Sequence, residues 1–248
     1  MFSLCIPTMD RFDNFLSRYL VKYLDNEYIS EIVVTDENGN DIEKIKHNFP
    51  NNKKLVLVKN ERRLGPFLNK IKACSIAKNE WIALIDSDNF AYKNYFETAK
   101  QYIEENIKDE KNIILSPCKA FPNFDYSHLS GFIFTNGTFE ENRKLEKELI
   151  KSNNVNSETL FNTGNYIVNK YLIDNLNINT EINNIMRSTA CDVMYLNVLL
   201  FEQLNLKFHV VPNLEYEHVV HNNSIFILTR YNHEDVNNNV KERFYKLR

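Results

Sequence analysis

The sequence predicts an α/β fold, a mixed and mostly parallel sheet flanked by helices. Three observations predict it. Short runs rich in Ile, Val and Leu alternate with segments of helical periodicity through the first half of the chain. The runs end in polar residues (Thr8, Asp36, Asp86), as strands do when their carboxyl ends open on a ligand crevice. Glycine is scarce, at five residues, so each one punctuates the chain.

Taken in order, Ser3–Pro7 is a short apolar strand. Residues 11–25 place Phe12, Phe15, Leu16, Tyr19, Leu20 and Tyr23 at helical spacing. Glu31–Asp36 is a buried strand that ends in the turn Glu37-Asn38-Gly39-Asn40. Lys54–Lys59 is a third strand, 66–78 a helix, and Trp81–Asp86 a fourth strand. A helix over 92–107 and a strand at Asn112–Ser116 follow. Strand–helix–strand alternation favours parallel pairing with helical crossovers. The second half is less regular. It offers strands at Gly131–Thr135, Asn165–Asn169 and Lys207–Val211, and helices over 139–151, 190–203 and 234–246. The Asn-rich stretches 151–157 and 177–184 read as loops within a single domain of 248 residues, with no internal repeat. The second half is expected to be a subdomain built onto the same sheet.

Composition narrows the function. Hydrophobic residues make up 43% and charged residues 25%, ordinary values for a globular protein. The formal net charge of -3 gives no general hold on nucleic acid or an anionic membrane. Cys5, Cys74, Cys118 and Cys191 are scattered without metal-ligand spacing, as expected of reduced, buried thiols. The amino terminus lacks the pattern of a signal peptide, and no stretch reaches the roughly 18 apolar residues of a membrane span. A cytoplasmic location is the expectation.

The chemistry begins at WIALIDSDN. An apolar strand delivers Asp86 and Asp88 to its carboxyl end. Residues two apart in extended chain project the same way. Such a pair can hold a hard divalent cation, and that cation can bridge the phosphates of a nucleoside diphosphate. The plainer reading has Asp88 capping the next helix and Asp86 solvated.

The run around this strand resembles the donor-binding segment of family 2 and related GT-A glycosyltransferases. Asn60, Gly65, Asn69, Ala77, Glu80, Trp81, Ile82, Asp86 and Asp88 carry the resemblance. LCIPTMDR is similar to the family's first strand and nucleotide-entry loop, and EIVVTDENGND to its second strand. The resemblance covers residues 3–100 well and the remainder loosely. Three features depart from the pattern: Asn89 stands where a further acidic residue is common, Phe67-Leu68-Asn69 replaces Ala-Arg-Asn, and the interval from Asn60 to Gly65 is longer than usual.

This resemblance implies a GT-A (Rossmann-like) fold with a nucleotide-sugar-binding half over 1–117 and an acceptor-binding half over 118–248. It also implies a donor set of Pro7, Thr8, Arg11, Asp36, Asn69, Lys70, Asp86, Ser87, Asp88, Gly164 and Asn165. Arg62, Arg63 and Lys70 form a basic cluster that can meet a pyrophosphate or lie on a solvated face. Asp192, the survivor of an acidic pair at a helix start, is the implied base of an inverting reaction; otherwise it is a plain N-terminal aspartate. Mn²⁺ or Mg²⁺ is the implied cofactor. Asp88 and Asp86 are its implied ligands, and His221 is favoured over His218 as a third. The implied partners are a nucleoside-diphosphate sugar and a glycan or glycoconjugate acceptor.

Two other classes share these features. A sugar nucleotidyltransferase also uses a parallel sheet and paired carboxylates, but IPTMDRFDN lacks the Gly-rich phosphate loop it needs. A non-catalytic carbohydrate-binding protein on the same fold would bind no nucleoside diphosphate.

Overall fold

The computed structural model describes residues 1–149, 156–179, 191–222, 224, 227 and 234–247. A single nine-stranded sheet carries the fold. Strands β1 (Phe2–Thr8), β2 (Ile29–Asp36), β3 (Leu55–Lys59) and β4 (Trp81–Leu84) are parallel and lie in the order β3-β2-β1-β4. The register sets Thr8 beside Asp36 and Asp36 beside Lys59, so the carboxyl ends of these strands form one edge. The chain first winds outward from β1 to β3, then returns to β4 on the other side of β1. That reversal makes β1/β4 the crevice where ligands bind in such sheets.

Beyond β4 the sheet becomes mixed. Strand β5 spans Ile113–Phe121, β6 Phe124–Asp125, β7 Ile133–Phe134, β8 Ile167–Asn169 and β9 Lys207–Glu217. Strand β8 runs antiparallel between β4 and β5, β9 parallel to β5, and β7 antiparallel to β9. The short β6 folds back on β5.

Helices α1 (Ser17–Leu24), α2 (Asn40–Asn48), α3 (Pro66–Ile76) and α4 (Lys93–Asn106) serve the first half. The expected helix at 11–25 begins as a wide π turn over Phe12–Leu16 before α1. Only Ile42 and Ile45 give α2 an apolar face, too sparse a period to reveal it in the sequence. Helices α5 (Phe139–Leu149), α6 (Ser157–Thr163), α7 (Lys170–Asp174), α8 (Asp192–Leu204) and α9 (Glu234–Tyr245) serve the second half. The expected ends of the helices at 139–151 and 190–203, and much of both Asn-rich stretches, lie outside the described residues.

Sheet and helices share one apolar core. In the second half that core is aromatic: Phe161 packs its ring 4.3 Å from Phe208 and 5.4 Å from Phe244, and Phe139 lies 5.3 Å from Phe201. These rings fix α6, α8 and α9 against β9, and so fix the far wall of the crevice. No helix among the described residues is long and apolar enough to cross a membrane.

Candidate active site

A cleft of about 760 Å³ opens at the carboxyl ends of β1 and β4 and continues between α6, α8 and α9. The sheet side brings Pro7, Thr8 and Arg11 from the end of β1, and Asp86, Ser87 and Asp88 from the turn after β4. Lys70 enters from α3 and Asp192 from the first residue of α8.

The β1 loop is shaped by a carboxylate that sequence reasoning did not single out. Asp41, 1% exposed, accepts the Thr8 hydroxyl at 2.5 Å and the backbone N–H groups of Arg11 and Phe12 at 2.9 Å. Asp41 is itself held by Asp36, whose Oδ2 accepts the N–H groups of Asp41 (2.9 Å) and Ile42 (3.1 Å) at the start of α2. Asp36, expected on the donor, lies behind the cleft in this structure. Its carboxylate is wholly buried and capping a helix, and it is absent from the cleft wall. Glu37 lines the cleft instead, one residue further along and on the other face of the chain. Glu37 Oε2 accepts the Leu64 N–H at 2.6 Å, which seats the loop carrying Arg63 at the same end. Asn69 also lies behind the cleft wall. Its amide bonds Asn60 (2.9 Å) and the Thr35 carbonyl (3.2 Å), so it ties α3 to the sheet and does not line the cleft.

The turn after β4 separates its two aspartates. Asp88 Oδ2 lies 2.9 Å from His221 Nε2 and 3.9 Å from Arg11 Nε. Phe15 packs at a tilt against the His221 ring, with ring centroids 5.2 Å apart. Asn89, the residue that departs from the family pattern, accepts the Val219 N–H at 2.9 Å and so draws the His221 segment toward Asp88. His218 also borders the cleft but points elsewhere: its ring meets Asn123 Nδ2 at 3.2 Å and Phe124 at 5.1 Å, and burial pushes its pKa down.

Asp86 turns away from this pair. Lys70 Nζ bridges Asp86 Oδ1 and Asp192 Oδ2, each at 2.9 Å. Burial pushes the Asp86 carboxyl above the usual range, partly offset by the Lys70 charge. Burial alone would depress the Lys70 ammonium, but the charges of Asp192 and Asp86 outweigh it and hold it up.

Gly164 and Asn165 form the support behind the turn. The Asp86 N–H donates to Asn165 Oδ1 at 2.7 Å, and Tyr95 donates its hydroxyl to the Asn165 carbonyl at 2.9 Å. Neither Gly164 nor Asn165 lines the cleft. Gly164 has φ +70°, and a Cβ there would meet Val193 Cγ2 at 3.1 Å, one residue after Asp192. Both act on the site from behind.

The residues present suit a divalent cation held jointly with a phosphate. Asp88 and His221 offer one oxygen and one nitrogen donor, while Asp86 is committed to Lys70. Among the described residues, no group of three His, Cys, Asp or Glu is placed to hold an ion. Small hard cations often take one or two protein ligands and complete their shell with substrate phosphates and water.

Known proteins share this architecture. The sequence model of glycosyl transferase family 2 matches residues 3–164. An uncharacterized glycosyltransferase of Methanocaldococcus jannaschii is 34% identical over 76 residues, which is 30% of this chain and 26% of that protein. The crystal structure of S. aureus TarS 1-349 in complex with UDP-GlcNAc superimposes with a TM-score of 0.64 at 15% identity, covering 99% of this chain and 67% of that one. A mannosyltransferase from Pyrobaculum calidifontis, in complex with GDP-Man and Mn²⁺, gives a TM-score of 0.58 at 14% identity, covering 92% of this chain and 59% of that one. The sheet order and flanking helices are those of the GT-A fold.

Proposed function

This chain belongs to glycosyl transferase family 2, and we propose that it moves a sugar from a nucleoside-diphosphate donor to an acceptor hydroxyl, with inversion, in one displacement. One observation carries the reading: a single cleft is lined by Asp88, which His221 contacts from behind the wall, and, across Lys70, by the Asp192 carboxylate at the start of α8. The TarS structure with UDP-GlcNAc and the mannosyltransferase structure with GDP-Man and Mn²⁺ support a nucleotide-sugar donor and a divalent cation here.

In this reading the nucleoside lies at the end of the cleft formed by Pro7, Thr8, Glu37 and Arg63. Arg11 faces the diphosphate. Asp88 and His221 would hold Mn²⁺ or Mg²⁺, which supplies charge neutralisation for the departing diphosphate. Asp192 takes the proton of the acceptor hydroxyl as the new C–O bond forms at the anomeric carbon. The bond from that carbon to the phosphate oxygen breaks, and its electron pair leaves with the nucleoside diphosphate. Aspartate is a weak base toward an alcohol, so proton transfer accompanies attack on an oxocarbenium-like centre. The acceptor, a glycan or glycoconjugate, occupies the α6–α9 side, whose wall is the polar set Thr159, Asn162, Thr163 and Asn238.

A thermal-shift screen of UDP, GDP, CDP and dTDP with Mn²⁺ identifies the nucleotide, because binding to the native state raises the melting point. Turnover of the matching nucleotide sugar, followed by NMR of the product's anomeric configuration, then tests the reaction. Inversion that depends on Mn²⁺ or Mg²⁺ is the expected result. Retention, or turnover unchanged by a chelator, would overturn it.

A further inference from the structure

We propose that Lys70 is the positioning residue of this reaction: its buried ammonium holds the Asp192 carboxylate in its working place by sharing one charge between Asp192 and Asp86. The proposal rests on the reading of Asp192 as the base.

Both contacts are 2.9 Å, and the side chains of Lys70 and Asp192 are only 10% and 12% exposed. The pairing is built into the packing of α3 on α8. Phe67 on α3 meets Tyr195 on α8 with ring centroids 5.1 Å apart. Lys70 lies one turn after Phe67, and Asp192 lies one turn before Tyr195. The helices therefore run past each other in opposite senses, and the ring contact sets where the ion pair falls. Gly164 adds a second constraint by letting Val193 approach closely.

Charge gives the reason. Asp86, Asp88 and Asp192 line one cleft, and water is largely excluded from Asp192. Without a cation between them, the Asp86 and Asp192 carboxylates repel and turn apart. Lys70 removes that conflict while leaving the second oxygen of Asp192 for the acceptor. Lys70 also divides the labour of the two halves of the cleft. Asp88 and His221 serve the donor phosphate, and Lys70 joins the turn after β4 to the helix that carries the base.

The sequence-based expectation placed Lys70 on the donor, where it would contact pyrophosphate. The two roles separate in a double-mutant cycle. The assay is release of nucleoside diphosphate from UDP-GlcNAc or GDP-mannose with Mn²⁺, water serving as acceptor, for wild type, Lys70→Gln, Asp192→Asn and the double variant. Calorimetry of UDP or GDP with Mn²⁺ runs beside it. Lys70→Gln should lower kcat by roughly 30- to 100-fold, the scale of a misplaced reacting group. Nucleotide affinity should stay within about twofold, and Lys70→Arg should recover part of the rate. In the Asp192→Asn background, Lys70→Gln should cost less than about twofold. An equal loss in both backgrounds would overturn the proposal, and so would a parallel loss of nucleotide affinity, which would mark a diphosphate ligand. Should Lys70→Gln melt below the assay temperature, Lys70→Arg runs the same cycle. Asp192→Asn with wild-type kcat would remove the base and this role together. A slow Asp192→Asn with an additive cycle removes the Lys70 role alone.

Discussion

Replacing Asp41 with alanine should lower the melting temperature by about 6–12 °C and loosen nucleotide binding, although Asp41 is almost wholly buried behind the cleft. Its carboxylate accepts from Thr8 Oγ1, Arg11 N and Phe12 N. Hydrogen bonds to a charged group contribute roughly 1.5–3 kcal/mol each, and a buried donor left without a partner costs about 1–3 kcal/mol. Thr8 and Arg11 border the cleft and can regain water; the buried Phe12 has no such relief. Counting only the Phe12 N–H, whose bond is lost and not replaced by water, the cost is about 3 kcal/mol, and each kcal/mol moves the melting point of a chain this long by roughly 2–4 °C. The second effect is functional. Released from Asp41, the loop from Thr8 to Phe12 samples other conformations, and ordering it again should weaken nucleoside diphosphate binding about tenfold, or roughly 1.4 kcal/mol. Differential scanning calorimetry gives the first number, and titration of nucleoside diphosphate with Mn²⁺ gives the second. Asp41→Asn, which keeps the shape and one acceptor oxygen, should fall between wild type and Asp41→Ala. A melting temperature within 2 °C of wild type, measured for Asp41→Ala with unchanged affinity, would refute the reasoning.

Three further outcomes are expected. Asp88→Ala should abolish the Mn²⁺ enhancement of nucleoside diphosphate binding while leaving the melting point of the unliganded protein within a few degrees; calorimetry with and without Mn²⁺ decides, and undiminished enhancement would count against Asp88 as a ligand. Gly164→Ala should destabilise by about 1–2 kcal/mol, since it places a Cβ at φ +70° and against Val193; urea denaturation showing equal or greater stability would contradict this. His209 is held neutral, burial pushing its pKa from 6.5 down to about 4. Its contribution is present in full above pH 6.5 and is lost as pH falls from 6.5 toward 4, to a total of about 3 kcal/mol. His209→Gln should flatten the stability profile across that interval, and a profile parallel to wild type would show that His209 is not responsible.

What the sequence disclosed follows from the range over which its signals act. The strands β1, β2 and β4 are apolar runs ending in Thr8, Asp36 and near Asp86, and their order follows from the crossovers between them. Asp88 and His221 were legible as a pair only through family resemblance, since 133 positions separate them and no periodicity connects them. Lys70 and Asp192, 122 positions apart, could each be picked out, but their mutual contact could not. It depends on how α3 packs on α8. A polar residue at a strand end such as Asp36 reads the same in the sequence whether it faces a ligand or caps the next helix. Helix α2, hidden by its charged composition, supplies the amides that Asp36 bonds here. Gly164 and Asn165, which the resemblance puts in the donor set, meet the turn after β4 and α8 from behind: Asn165 grips the backbone of Asp86, and Gly164 admits Val193.

The most direct test is an anomalous-scattering map from crystals grown with Mn²⁺ and the nucleoside diphosphate chosen by thermal shift. We predict one manganese peak within coordination distance of Asp88 and His221, touching the diphosphate, with Asp86 and Asp192 still joined through Lys70. A manganese ion bound away from Asp88, or a nucleotide lying outside the β1/β4 crevice, would contradict the proposed reaction.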